Sequence, residues 1–356
     1  MNKIIKLIIY NFLIFITLLL IIELLSGRLL LNKTKLDCSY ILCDRKLHFE
    51  NITFHDSSNK YDVIYTRDKY GLRGMKKSLD EIDILTVGGS TTDERYLKLK
   101  DTWSEKLEIK FESTQQNFDV VNAGIDGQST NGHIWNFENW FNKIENFEPK
   151  YIIFYIGIND VLSKNIKSYK KSYNQDISKL NFFNKIKYFL KKNNGISYKS
   201  YLLIFKNLFL KDKYNVGHNP LRKNIEFIIP TSKIKVNRLT RDVFLNNLKK
   251  LTQYSRDQNS IPIFITQRTY RWHKKNEKIY SISKIDFHDY EKKVSKMIMV
   301  FCAENKVFCV DLNNHLDFNE KDTYDLVHTT VAGSEKIAEY IFKEIKNYIN
   351  PTILRN

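Results

Sequence analysis

Five short runs rich in β-branched and aromatic residues recur along this chain, at Ile82 to Val87, Phe118 to Val121, Tyr151 to Ile156, Ile261 to Thr266 and Val307 to Leu312. Stretches of helical length separate or follow them: Trp103 to Phe111, His133 to Ile144, Val243 to Asp257, Tyr290 to Glu304 and Ser334 to Tyr348. Alternation of this kind predicts an α/β fold in which a parallel sheet is covered by helices on both faces. The expected architecture is a three-layer α/β/α sandwich with a five-stranded, mainly parallel sheet. Ligands of such open sheets bind beyond the carboxyl ends of the strands, so functional residues are expected immediately after the apolar runs.

The rest of the chain decorates that core. Its 356 residues are 42% hydrophobic, enough to bury a sizeable core and to exclude wholesale disorder. No charge occurs from Leu7 to Ile22, and with Lys6 reaching outward this run approaches the ~20 residues that cross a bilayer as a helix. Residues 1–27 are therefore expected to be an N-terminal transmembrane anchor. A cleavable signal peptide is the rival, against which stand the length of the run and the lack of a small-x-small pattern in Glu23-Leu24-Leu25-Ser26-Gly27-Arg28. Orientation stays open, because Arg28, Lys33 and Lys35 compete with Lys3 and Lys6 under the positive-inside rule.

Residues 28–81 form a polar lead-in with turn signals at Gly71 and Gly74, and the sheet domain spans 82–350. Within it, residues 163–240 make a basic insert: eighteen Lys or Arg stand against Asp176, Asp212 and Glu226, a net +15 of the chain's +17. Phe182, Phe183, Ile186, Phe189 and Leu190 recur at helical spacing, as do Tyr201, Leu202, Phe205, Leu208 and Phe209, which predicts two amphipathic helices. Membrane lipid, a lid role and a self-packed helical hairpin all fit that pattern. Nucleic acid is not an expected partner, since no recognised binding motif accompanies the charge. Cys38 with Cys43, and Cys302 with Cys309, are locally spaced pairs that suit disulfides in an exported domain or buried thiols otherwise. None has metal-site spacing, and no metal or organic cofactor is expected.

The polar exceptions stand where the fold places ligands. The first run leads into Gly88-Gly89-Ser90-Thr91-Thr92, where glycines permit a sharp turn and Ser90 faces a pocket. The second leads into Asn122-Ala123-Gly124 and the third into Gly157-Ile158-Asn159-Asp160, each also ordinary turn chemistry taken alone. Near the end, Asp325-Leu326-Val327-His328 has the spacing at which a local carboxylate orients one imidazole nitrogen while the other faces outward.

In order and position these blocks resemble the SGNH (GDSL-like) hydrolase family, over roughly Ile82 to Asn350. The lead-in's Gly71-Leu72-Arg73-Gly74 is similar to one that precedes the Gly-Gly-Ser-Thr-Thr variant in membrane-tethered members. The resemblance implies a flavodoxin-like SGNH fold and a serine esterase with Ser90 as nucleophile, His328 as general base then acid, and Asp325 as orienter. It further implies an oxyanion hole made by Ser90 N–H, Gly124 N–H and the Asn159 amide, strengthened by a helix dipole at Ser90. Gly89 stands where the family commonly has Asp, a departure that bears on subsites more than on the triad.

The implied reaction is hydrolysis of an acyl ester, O-acetyl on an envelope or surface glycan above all, through an acyl-enzyme. Transfer of the acyl group to a sugar hydroxyl, and a non-catalytic glycan- or lipid-binding role, are the alternatives. The expected location is the membrane, with the catalytic domain on the extracytoplasmic side. Arg268, just after the fourth run, and Asp126 and Asn131, after Gly124, are candidates for touching substrate, with surface, turn or cap roles as the plain alternatives. Asp160 is expected to support the Asn159 loop.

Overall fold

The computed structural model describes residues 3–26, 45–54, 61–161, 181–193, 226–234 and 238–349. They fall into two units. One holds the helices Lys3–Ser26 and Phe182–Asn193, and the other holds everything else described. Helix Lys3–Ser26 is long and apolar enough over Lys3–Leu25 to cross a membrane, a property shared by anchors and signal sequences. The second helical pattern of the insert, Cys38 and Cys43 lie outside the described residues.

In the larger unit, β1 (Arg45–Ile52) and β2 (Tyr61–Arg67) form an antiparallel hairpin. Next come β3 (Ile84–Gly88), β4 (Val120–Asn122), β5 (Tyr151–Ile156) and β6 (Ile261–Thr266). A second hairpin joins β7 (Trp272–Lys275) to β8 (Lys278–Ser281), and β9 (Phe308–Val310) follows. Strands β3, β4, β5, β6 and β9 make one all-parallel sheet in the order β4-β3-β5-β6-β9. All five expected strands are present, each within two residues of the apolar run that announced it.

The sheet strands are apolar on both faces because both faces are covered. Leu85, Val87, Ile152, Phe154 and Phe264 pack with Phe137, Phe244, Leu248, Val294 and Ile298, from the helices Thr130–Asn139, Arg238–Asp257 and Phe287–Asn305. Their strand neighbours Ile84, Ile153, Tyr155, Ile263 and Ile265 point the other way, onto Trp103, Leu107, Ile337 and Ile341 of the helices Trp103–Ser113 and Val331–Ile345. Each large side chain buried in this way contributes about 1.5–3 kcal/mol, and the period-two alternation fixes which one faces which layer. Inside the first layer Cys302 and Cys309 are disulfide-bonded, linking the helix Phe287–Asn305 to β9.

The order of strands places the site. Read in chain order the sheet runs second-first-third-fourth-fifth, so the winding direction changes between β3 and β5, and the crevice opens beyond their carboxyl ends.

The lead-in is more ordered than its polar composition predicts. Val63, Tyr65 and Arg67 of β2 are buried while Asp62, Ile64 and Thr66 are exposed, a strict alternation that seats the hairpin on the sheet domain. Beyond β2, Arg73 exchanges both main-chain hydrogen bonds with Asn122 and so extends the β4 edge. Residues 226–234, inside the expected insert, belong to the larger unit and pair within it, through Ile228 with Ser281 and Ser232 with Ile285.

Candidate active site

After β3 the chain passes Gly88 and Gly89 and makes one helical turn, Ser90–Asp93, closed by Glu94 in the left-handed region at φ 41°. A single turn aligns few peptide dipoles, so the helix-dipole contribution expected at Ser90 is small. What holds the turn instead is charge buried behind it. Asp93 accepts from Arg67 Nη2 at 2.8 Å, from the Tyr65 hydroxyl at 2.7 Å and from Arg95 Nη2 at 3.0 Å. Arg73 donates to the carbonyls of Asp93 and Leu97, at 2.6 and 2.7 Å. Burial opposes ionisation of Asp93, but Arg67 and Arg95 outweigh it and hold its carboxyl below the usual range. Arg67 also donates to the Gly124 carbonyl, so one lead-in side chain grips the segments after β3 and β4 together.

The loop before the last helix brings the other two expected residues. Asp325 Oδ1 accepts from the main-chain N–H of Val327 at 3.1 Å and of His328 at 2.8 Å, a local turn that the short Asp side chain favours. Leu326 is thereby left at φ 76°, a conformation that costs a branched residue about 1–2 kcal/mol. Tyr270 N–H holds the Leu326 carbonyl at 2.8 Å and Tyr324 N–H the His328 carbonyl at 3.0 Å, so the turn is braced from both sides.

The result is a chain of three side chains. Asp325 Oδ2 lies 2.6 Å from His328 Nδ1, and His328 Nε2 lies 2.7 Å from Ser90 Oγ. Burial raises the Asp325 carboxyl, but its hydrogen bonds with His328 overcome that and leave it below the normal range, so it is ionised at neutral pH. Tyr324 stacks on the His328 ring at 5.6 Å and Phe54 stacks on Tyr324 at 4.9 Å. Ser90, His328, Tyr324, Tyr96 and Leu97 line a narrow cleft.

The expected oxyanion donors are only partly as anticipated. Asn159 follows β5, and its Nδ2 donates to the Gln128 carbonyl at 2.9 Å. A Cβ added at Gly89 would lie 2.7 Å from that Nδ2, which puts the Asn159 amide directly beside the Gly89–Ser90 peptide. Gly124 N–H is already engaged, donating to the Asn122 side chain at 2.8 Å. Along this loop Ile125 N–H is bound to the Gly88 carbonyl and Gln128 N–H to the Ile125 carbonyl, whereas Asp126 and Gly127 N–H have no partner among the described residues. Gly127 is at φ +73° with open space around its Cβ direction.

Three further candidates are placed by their partners. Arg268 is fully buried, stacked on Trp272 at 3.4 Å, with Nη2 donating to the Trp272 carbonyl at 3.0 Å. These contacts hold the β7 hairpin rather than reach the cleft, which corrects the expectation of a substrate grip. Asp126 is exposed and pairs with Arg95 at 3.1 Å. Asn131 accepts from Asn247 Nδ2 at 3.0 Å, tying two helices. Among the described residues no group of three or more His, Cys, Asp or Glu is arranged to hold a metal ion.

Gly89 has ordinary extended φ, so its requirement is steric rather than conformational. Gly89→Ala should therefore leave Tm within a few degrees but displace Asn159 and lower kcat on p-nitrophenyl acetate by about 10²-fold. An alanine variant as active as wild type would detach Asn159's placement from catalysis.

Asp160 accepts from Thr130 N–H at 2.9 Å and from the Thr130 hydroxyl, capping the helix Thr130–Asn139 and anchoring the Asn159 turn. Burial pushes its carboxyl up to about 6, against the pull of those bonds. Its folded value thus exceeds the unfolded one of about 4, so its stabilising contribution is complete below about pH 4 and disappears as pH rises through about 6. Asp160→Asn keeps the acceptor without the charge. Thermal melts should show it gaining on wild type between pH 4 and 7; a Tm difference independent of pH would contradict this.

With this geometry in place, comparison with known families is direct. A sequence model of the GDSL-like lipase/acylhydrolase family matches residues 68–341. The chain belongs to that family. As a GDSL-like acylhydrolase it is a serine hydrolase acting on esters, and its α/β sandwich is the family fold. Arg67 lies just outside the matched segment, Arg73 within it.

Solved structures similar to this GDSL-like chain include a lipolytic protein of the G-D-S-L family from Veillonella parvula, at 14% identity over 74% of this chain and 98% of that one, TM-score 0.44. Axe2, an acetylxylan esterase from Geobacillus stearothermophilus, has 15% identity over 74% of this chain and 94% of its own, TM-score 0.43. The psychrotrophic esterase EstA from Pseudoalteromonas sp. has 12% identity over 75% and 97%, TM-score 0.43. No curated protein matches the chain.

Proposed function

We propose that this acylhydrolase is a membrane-tethered esterase that removes short acyl groups, O-acetyl above all, from an envelope or surface glycan. The observation that carries the reading is the continuous Asp325–His328–Ser90 chain, with links of 2.6 and 2.7 Å. His328 Nε2 takes the proton as Ser90 Oγ attacks the ester carbonyl, and the carboxylate of Asp325 stabilises the imidazolium. His328 then gives that proton to the departing sugar oxygen, leaving acyl-Ser90. Water, deprotonated by the same nitrogen, attacks the acyl carbon and releases the carboxylic acid, and the proton returns to Ser90.

The oxyanion would be met by Ser90 N–H and the Asn159 amide. Ser90 N–H has no partner among the described residues, and Asn159 is held beside Gly89. Each such donor is worth about 3–4 kcal/mol in the transition state.

Tyr96, Leu97 and Tyr324 close in on the cleft beside Ser90, which favours a short acyl group. Tethering rests on the apolar helix Lys3–Ser26. The Cys302–Cys309 bond supports a catalytic domain on the oxidising, extracytoplasmic side. Phe182 and Phe183, 71% and 79% exposed on a helix rich in lysine, suit the headgroup boundary of an anionic membrane.

The test compares p-nitrophenyl acetate with the octanoate, and measures acetate released from an O-acetylated polysaccharide. The expected result is kcat/KM at least about tenfold higher for acetate, with release of free acetate. Preference for octanoate would remove the short-acyl assignment, and acetyl appearing on an added sugar acceptor instead of in water would convert the assignment to transfer.

A further inference from the structure

The residue that follows β6 laces two parts of the site together. Gln267, nearly fully buried, donates from Nε2 to Thr91 Oγ1 at 2.8 Å and accepts at Oε1 from Ile158 N–H at 2.8 Å. Thr91 is the residue after Ser90, and Ile158 the residue before Asn159. The Gln267 main chain is itself fixed, since Asn313 Nδ2 donates to its carbonyl at 2.7 Å and Asn313 N–H to Thr266 Oγ1 at 2.9 Å. The peptide that Gln267 grips is also a special one: Gly157 is at φ +128°, a conformation glycine alone adopts readily, so the direction of the Asn159 turn depends on what holds Ile158 N–H.

We propose that Gln267 is a positioning residue that sets the separation between the Ser90 nucleophile and the Asn159 amide. The inference rests on Asn159 acting as an oxyanion donor. Its physical basis is the side-chain amide, one planar group that offers a donor and an acceptor on the same carbon and can therefore bridge a hydroxyl and a main-chain N–H without carrying charge. Because strands β3, β5 and β6 are neighbours in the sheet, the bridge spans the edge where both reacting segments emerge. An error of about 1 Å between nucleophile and donor lowers a rate by about 10²-fold, and it does so in the transition state rather than in substrate binding.

The test is a double-mutant cycle on the full-length chain with p-nitrophenyl acetate, comparing Gln267→Met, Asn159→Ala and the pair. Gln267→Met alone should lower kcat about 30- to 100-fold with KM changed less than about threefold. In the Asn159→Ala background the same change should lower kcat less than about threefold, because the donor it positions is already gone. An equal loss in both backgrounds, or a kcat for Gln267→Met within twofold of wild type, would overturn the proposal and leave Gln267 as a packing residue. Should Asn159→Ala by itself leave kcat unchanged, the oxyanion reading of Asn159 falls first and takes this inference with it. If Gln267→Met does not fold, Thr91→Val removes the other end of the same bridge, and the same split and the same non-additivity are required of it.

Discussion

Ser90→Ala should lower kcat on p-nitrophenyl acetate by about 10⁶-fold while leaving Tm within a few degrees of wild type. The change removes only the Oγ that His328 Nε2 faces at 2.7 Å, and Ser90 is half-buried, so little packing is lost. What survives is the rate enhancement due to donors and binding, about 10³- to 10⁴-fold over water. A variant within tenfold of wild type would mean that the hydroxyl is a cap on the turn Ser90–Asp93 and no more.

Asp325→Asn should lower kcat by about 10⁴-fold, and the reason is tautomeric. In the wild type the carboxylate Oδ2 accepts a hydrogen bond from Nδ1–H at 2.6 Å, which leaves Nε2 with its lone pair toward Ser90. Oδ1 can go on accepting from Val327 and His328 N–H after the change, so the turn persists. The new amide, however, presents N–H toward Nδ1, reversing the imidazole so that Nε2–H points at Ser90 and cannot act as a base. Nitrogen chemical shifts of the His328 ring should report the reversal alongside the kinetic loss. A large loss of rate with the wild-type tautomer retained would assign Asp325 a purely electrostatic part.

The expected fold and the triad geometry were legible because they depend on pattern. A strand buried on both faces must be apolar throughout, which makes Tyr151 to Ile156 readable; Asp325 and His328 are three residues apart, so their meeting is local. What depended on tertiary partners was not legible in the same way. Arg67 and Arg73 look like ordinary charges of a polar lead-in, yet they are buried because Asp93 and the carbonyls around it need donors. The strict alternation from Asp62 to Arg67 was the available signal for β2. Gly124 was the natural choice for an oxyanion donor because it stands nearest the end of β4, but Asn122 folds back onto its N–H. Arg268 stands at the correct edge of the sheet and is drawn inward by Trp272 and two main-chain carbonyls. Gln267, one position earlier, gives no sequence signal beyond a polar residue after an apolar strand; its meaning appears only when Thr91 and Ile158 stand on either side of it.

The central claim is that one serine is activated by one histidine across 238 residues of chain. Covalent labelling tests it most directly: full-length protein is treated with a fluorophosphonate at neutral pH, digested, and the modified peptide sequenced by mass spectrometry. The account predicts a single rapid adduct on Ser90, slowed by orders of magnitude in His328→Ala. Rapid labelling of a different residue, or of Ser90 at an unchanged rate without His328, would contradict it.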